Sequence, residues 1–249
     1  MKKYLLTAIV SVLSICTHAQ SIDREGNDSK RIWTTEFNSV DINAPIKVIF
    51  KRVAADIAPY VIYTANDSTS SVFTAEVDKR GVLKIREKNS GKRASITEVE
   101  VYYHDLEDIR ISRADVLFSD TLDHPIADIE ITDGAHVRAA IDMTDIKLAI
   151  SNKCAVELSG YARYIAAEVS SSVLNAPALN CMSCRIEASH SSDIDISVDE
   201  RLEAEVSYGA KIRYSGAPAI VRRNVSIFSG EIIGEDVNTD NISSDAAHE

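Results

Sequence analysis

Glycine is scarce, at nine residues, and proline scarcer, at five. That excludes collagen-like and linker-dominated chains. Aromatic residues make up 6% against a total apolar content of 45%. A core is therefore built from Ile, Val, Leu and Ala rather than around a large ring-lined pocket. No segment keeps an apolar period near 3.6 residues for more than two turns, so no long helix is expected. Basic clusters with interleaved aromatics are missing, and 27 basic against 38 acidic residues give a formal charge of −11. Such a surface repels nucleic acid and anionic headgroups. A Gly-rich phosphate loop, a Ser-His-Asp arrangement and metal-ligand spacing are also absent, and His104, His124, His136 and His190 are scattered. The expectation is no catalytic residue, no cofactor and no enzyme.

One apolar stretch stands apart. Leu5 to Ile15 follows Lys2 and Lys3 and precedes Thr17-His18-Ala19, the pattern of a secretory signal over residues 1–19. The run is too short for a stable membrane span. Leu13-Ser14-Ile15-Cys16 also has the outline of a lipobox, but Ile15 stands where a small residue is wanted, which argues against a lipid anchor at Cys16. Cleavage after Ala19 deepens the net charge to about −13 and leaves Cys154, Cys181 and Cys184, an odd number. Cys181-Met182-Ser183-Cys184 has CxxC spacing, compatible with a small disulfide or with redox chemistry. No helical periodicity follows it, and Cys154 and Cys184 occupy repeat positions that are usually apolar. Buried packing is the plainer role for both.

What the chain does have is a beat. Ser112, Thr132, Ser151, Ser170, Ser189, Ser207 and Ser226 recur at intervals of 18 to 20 residues. Before each, apolar residues alternate with mostly polar ones, as in Ile129-Glu130-Ile131 and Ile186-Glu187-Ala188. A period of two inside a period of nineteen marks an all-β solenoid, here expected to be a right-handed parallel β-helix with rungs of about 19 residues. The residue one before the hydroxyl is apolar in all seven rungs, and a second alternating strand follows each short turn. The recurring hydroxyl is expected to bond its own backbone at the bend. Pro177, in the fourth rung's second strand, removes a ladder donor and is expected to disturb pairing there.

Around the rungs, residues 20–32 read as a flexible lead-in, 33–107 as an antiparallel or irregular β region that caps the solenoid, 108–234 as the rungs and 235–249 as an acidic tail. Ala65 to Ser68 and Asn89 to Lys92 read as loops. A solenoid's first rung exposes an apolar cross-section and free strand edges, and this is what the cap answers.

Two places before the hydroxyl, on the outward face, stand Glu130, Glu168, Glu187 and Glu205. The last three belong to consecutive rungs and should form a column with carboxylates roughly 5 Å apart. Arg185 beside Glu187, and Arg222 one rung on from Glu203, are candidate counter-charges. The alternative for Glu168, Glu187 and Glu205 is a bound divalent cation such as Ca²⁺, although the Gly and Asp regularity of calcium-binding nonapeptides is absent. Asp193 and Asp195, two apart and outward, have no positioned partner and read as solubility.

Phe37-Asn38-Ser39-Val40-Asp41-Ile42, Ile46-Lys47-Val48-Ile49-Phe50 and Gly81-Val82-Leu83-Lys84-Ile85, followed by the Ser- and Ala-containing rungs, resemble the auto-transporter adhesin head GIN domain family over roughly residues 33–234. The resemblance implies an exported β-helical protein with no catalytic residues to carry over. Three functions follow from these observations. The first is a non-enzymatic, adhesin-like interaction protein in the periplasm, on the outer-membrane surface or outside the cell, with a protein or glycan partner. The second is a polysaccharide-processing β-helix enzyme, which needs a cleft of convergent acids. The third is a structural or envelope-stress accessory domain.

Overall fold

A computed structural model of the protein describes residues 20–22, 28–64, 71–89, 96–226 and 228–234. The expected signal segment with Cys16, the loop expected at Ala65 to Ser68, the loop expected at Asn89 to Lys92 apart from Asn89, which ends a strand, and the expected acidic tail from residue 235 lie outside the described residues. Strand β1 (Gln20–Ile22) pairs antiparallel with β2 (Asp28–Trp33). Next come β3 (Ser39–Asn43) and β4 (Lys47–Arg52), then β5 (Tyr60–Thr64), which pairs antiparallel with β2. The hairpin β6 (Ser71–Val77) and β7 (Val82–Asn89) leads to β8 (Glu98–Tyr103). The rungs proper run through β9 (Asp108–Ser112), β10 (Asp115–Phe118), β11 (Ile126–Thr132), β12 (His136–Ser151), β13 (Ala155–Ser170), β14 (Val173–Ser189), β15 (Asp193–Val206), β16 (Lys211–Ser215), β17 (Ile220–Val225) and β18 (Glu231–Gly234). The architecture is a stack of parallel strands, a β-solenoid of about seven turns with spacing near 19 residues, and no helix occurs among the described residues.

Rung stacking turns the sequence beat into two apolar ladders. One runs Ile85, Ile42, Ile111, Ile131, Ile150, Val169, Ala188 and Val206, each in register with the next. The other runs Val99, Val48, Val116, Val137, Val156, Leu174, Ile194 and Ile212. All of these side chains are buried. Each Ile, Val or Leu so buried contributes about 1.5–3 kcal/mol. Alternation of inward and outward positions survives away from the corners on the strands from β8 to β16, because a one-residue slip would turn the whole set to solvent. β17 departs from it, with Val221 and Val225, inward by the repeat, both exposed because no further rung covers them.

The parallel stack extends further toward the N-terminus than the boundary at residue 108. β3 and β4 stack in parallel on β9 and β10, and β7 and β8 stack in parallel on β3 and β4. The spatial order is therefore not the chain order, and β5, β6 and β2 leave the stack as antiparallel additions. Ser39 Oγ donates to Asp108 Oδ2 at 3.2 Å across 69 residues of sequence, a separation no local pattern reveals. β6 pairs antiparallel with β7, the outermost strand of this end of the stack.

The bends work differently from the expectation. Thr132, Ser189 and Ser207 accept at their carbonyls from the amides of Ala135, Ser192 and Ala210, closing tight turns. The residue after six of the seven beat hydroxyls takes positive φ: Arg113, Asp133, Asn152, Ser171, His190 and Tyr208. Ser112 Oγ donates to Asp133 Oδ2 in the next rung's turn at 3.0 Å and Ser170 Oγ lies 3.3 Å from His190 Nδ1, while Thr132 and Ser189 bond the side chain that follows them in their own turns. The hydroxyls that return to the backbone are Ser172, donating to the Ser170 carbonyl at 2.9 Å, and Ser192. They occupy a corner column with Ala114, Ala135, Cys154 and Ala210, all buried and all small, because the chain reverses too tightly there for a branched side chain. Pro177 does disturb the ladder: β14 slips against β15 between Ala176 and Asn180. Cys154, Cys181 and Cys184 are buried free thiols within the core.

Several carboxyls sit in bonds that make stability depend on acid. Lys84, with the backbone amides of Arg80 and Val82, holds the Asp78 carboxyl well below its ordinary range. Arg138 does the same for Glu157, Arg201 for Glu203, and Arg52 for Asp123. A carboxylate whose folded pKa is depressed contributes stability above its unfolded value and loses it as pH falls through the folded value. The melting temperature is therefore expected to decline steadily from about pH 4 downward. Thermal melts between pH 2 and pH 8 check this, and Asp78→Asn should flatten part of the decline.

Candidate binding face

β2, β5, β8, β4 and β10 lie side by side in that order. Their inward residues Val61, Val99, Val101, Val48, Phe50 and Val116 fill the core. Strand alternation then dictates what faces outward. Three rows result. Trp33, Tyr60, Tyr102 and Lys51 form the first, in register across four strands. Arg31, Ile62, Glu100, Ile49, Leu117 and Arg138 form the second. Glu98, Lys47 and Asp115 form the third.

The first row is bound together by its own rings. Tyr60 stacks on Tyr102 at 4.1 Å and Trp33 leans on Tyr60 at 5.1 Å. The Arg31 guanidinium lies 4.7 Å from the Tyr60 centroid and 5.4 Å from that of Trp33. Cross-strand aromatic pairs and cation–π contacts of this kind each contribute about 0.5–1 kcal/mol. Trp33 ends the row and remains 52% exposed. Glu100 is drawn toward this row, receiving bonds from Lys51 Nζ and the Tyr102 hydroxyl, both at 2.6 Å. Burial alone would raise its pKa, but these two donors outweigh burial and hold the carboxyl below its ordinary value. Burial, reinforced by the Glu100 bond, pushes the Tyr102 phenol upward.

Ile62, Ile49 and Leu117 supply the aliphatic surface of the middle row, with Glu100 between Ile62 and Ile49 also lining the groove and its carboxylate tied to Lys51 and Tyr102. Leu117 is 37% exposed. The strip floors a groove of about 680 Å³ whose far wall is Glu98, Lys47 and Asp115. Glu98 and Lys47, although paired in backbone register, form no ion pair with each other, and the Arg138 side chain is taken by Glu157 at 2.7 Å. The groove thus joins an aliphatic floor to charged groups with unused hydrogen-bonding capacity. In sequence Ile46 to Phe50 shows only alternation and Tyr60 to Thr64 only a short apolar run; their meeting depends on the β5–β8 pairing, which sets Val61 opposite Val101.

The glutamate column forms on a different face. Glu168, Glu187 and Glu205 are mutual register partners across β13, β14 and β15, beside a shallow groove of about 360 Å³. Arg185 Nη2 pairs with Glu187 at 2.8 Å, and Glu203 is held by Arg201 and by Arg222 at 3.1 Å. Glu130 is not brought to the others: Ala149 intervenes, and Glu130 turns to Arg110 at 3.5 Å. Among the described residues no group of three or more His, Cys, Asp or Glu side chains is arranged to hold a metal ion. Asp193 and Asp195 are not idle, since Arg213 sits between them at 2.8 Å and 3.9 Å. The histidines stay apart: His104 on Glu36 at 2.9 Å, His124 near Asp105 at 3.6 Å and His190 stacked on Tyr208.

One further exposed feature escaped the sequence. His190, Tyr208 and Phe228 all have positive φ and stack at 4.9 Å and 5.8 Å along one corner. The same corner in earlier rungs carries Asp133, Asn152 and Ser171, types that tolerate this backbone at little cost.

The family model of the putative auto-transporter adhesin, head GIN domain, matches residues 36–218. The chain belongs to this family. A crystal structure of a putative adhesin from Bacteroides fragilis superposes with a TM-score of 0.73 at 17% identity, covering 83% of this chain and 96% of that one. A putative adhesin from Parabacteroides distasonis gives 0.62 at 16% identity, over 83% and 96%. A putative lipid binding protein from the same species gives 0.62 at 14%, over 82% and 96%. At such identities the likeness speaks to the fold. No curated protein matches the chain. The matched segment contains β3, β4, β5, β8 and β10, hence most of the groove, while Trp33 lies just outside it.

Proposed function

We propose that this GIN-domain protein is an exported, non-enzymatic, adhesin-like interaction protein that holds its partner on the face of β2, β5, β8, β4 and β10. The observation carrying the reading is the outward aliphatic strip Ile62, Ile49 and Leu117 in the 680 Å³ groove. The core is complete without these side chains, so their exposure serves contact rather than folding. Export rests on the signal pattern of residues 1–19 and on the adhesin character of the family. A surface or periplasmic place in the envelope follows from the same two supports.

The test uses labelled mature protein on intact cells and on isolated envelope and matrix material. Binding is expected for the parent. The double variant Ile49→Glu, Leu117→Glu should lose at least tenfold in affinity while its melting temperature stays within a few degrees, because both changes lie on the outer surface. Equal binding by parent and variant would remove the groove from the function. A second reading, polysaccharide cleavage, is favoured only by Glu98 and Asp115 flanking Lys47 in the same groove. Size analysis of polysaccharide after incubation separates the two readings, and intact chains are expected.

A further inference from the structure

Resting on that reading, we infer that the groove's ligand is a non-anionic oligosaccharide, a neutral or amino-bearing chain of about three pyranose rings lying across β5, β8, β4 and β10. Length comes first. The floor spans neighbouring strands about 4.8 Å apart, so a ring per strand step carries a short saccharide from Ile62 over Ile49 to Leu117. Chemistry comes second. A pyranose ring presents C–H faces and hydroxyl edges together, which suits an aliphatic floor beside Glu98, Lys47, Asp115 and Thr64. Charge comes third. Two carboxylates against one unpaired ammonium make the far wall acidic on balance, within a chain of net charge −11, so sulfated, sialylated or uronate chains are repelled. An amino sugar would instead place its ammonium between Glu98 and Asp115.

Other occupants fit less well. An acyl chain would strip water from Lys47, Glu98 and Asp115 without pairing them, which is costly. An extended peptide needs a free strand edge, but β5, β8 and β4 are each hydrogen-bonded on both sides. A helical peptide needs an apolar stripe broader than three side chains in one row. Past Ile62 the middle row continues to Arg31, whose guanidinium lies over the rings of Tyr60 and the half-exposed Trp33 and so bounds the strip at that end.

Calorimetry or saturation-transfer NMR on the mature protein would use chitotriose, cellotriose and mannotriose, with heparin and hyaluronan hexasaccharides as anionic probes and phosphatidylcholine vesicles as the lipid probe. Binding of at least one neutral or amino trisaccharide is expected, weakened at least tenfold by Leu117→Ser and by Glu98→Ala, with melting temperatures unchanged. Weaker binding of the anionic probes is expected throughout. Binding only of the anionic chains or of vesicles would overturn the inference. So would cell binding that the Ile49→Glu, Leu117→Glu variant abolishes but that protease treatment of the cells, rather than glycosidase treatment, removes. That last result leaves the binding face standing, whereas cell binding indifferent to the double variant takes down both.

Discussion

Gly160→Val is expected to cost at least about 3 kcal/mol of folding stability, read as a drop in the urea midpoint. Gly160 sits at a rung corner with φ of +103°, and a Cβ there would stand 2.2 Å from the Ile141 carbonyl oxygen. That oxygen belongs to the paired backbone of the preceding rung, so it cannot swing away as a side chain would. Relief requires opening the ladder between β12 and β13, where the stack is longest. Gly216 repeats the arrangement against the Val198 carbonyl at 2.2 Å, which marks close approach as a property of this corner. Gly134→Ala is the control: its φ is +74° but nothing lies within 4 Å of the new Cβ, so only the backbone preference, about 1 kcal/mol, should appear. If the two variants melted alike, the corner would not be packed as described.

Ile186→Asp is expected to abolish folding at neutral pH. Ile186 is fully buried and stands between Ala167 and Ala204 in its ladder, with no polar partner at that depth. An isolated carboxylate there costs about 5 kcal/mol or more, comparable with the whole stability of a typical domain. Ile186→Ala separates volume from charge, with about 2–5 kcal/mol for the lost methyl groups and cavity. Burial raises the pKa of the introduced acid, so the excess cost of Asp over Ala should shrink as pH falls toward 4. Circular dichroism and soluble yield across pH report it; an Asp variant as stable as the Ala variant at pH 7 would mean the site is wet.

The rungs from Ser112 to Ser207 were legible because each repeats the same local rule, while the last, with Val221 and Val225 exposed on β17, breaks it at the end of the stack. Inward alternation needs only the neighbours two residues away, and stacking aligns equivalent positions without further information. The small residues of the Ala135, Cys154 and Ala210 column were legible for the same reason. The proposed binding face was not, because Trp33, Tyr60 and Tyr102 stand on β2, β5 and β8, joined by antiparallel pairs that no periodicity encodes.

By itself, then, the sequence determined the material of this protein: an aliphatic core, an acidic outer surface and a nineteen-residue step whose inward positions must stack. Tertiary structure alone decided three things. It inserted β3 and β4 between rungs that come later in the chain, it tied Glu100 to Lys51 and Tyr102, and it joined Trp33, Tyr60 and Tyr102 into one outward row across β2, β5 and β8. The physical reason is common to all three. Stacking within a repeat is set by short-range alternation, whereas pairing between distant strands is set by which edges and surfaces remain free once the repeat has formed.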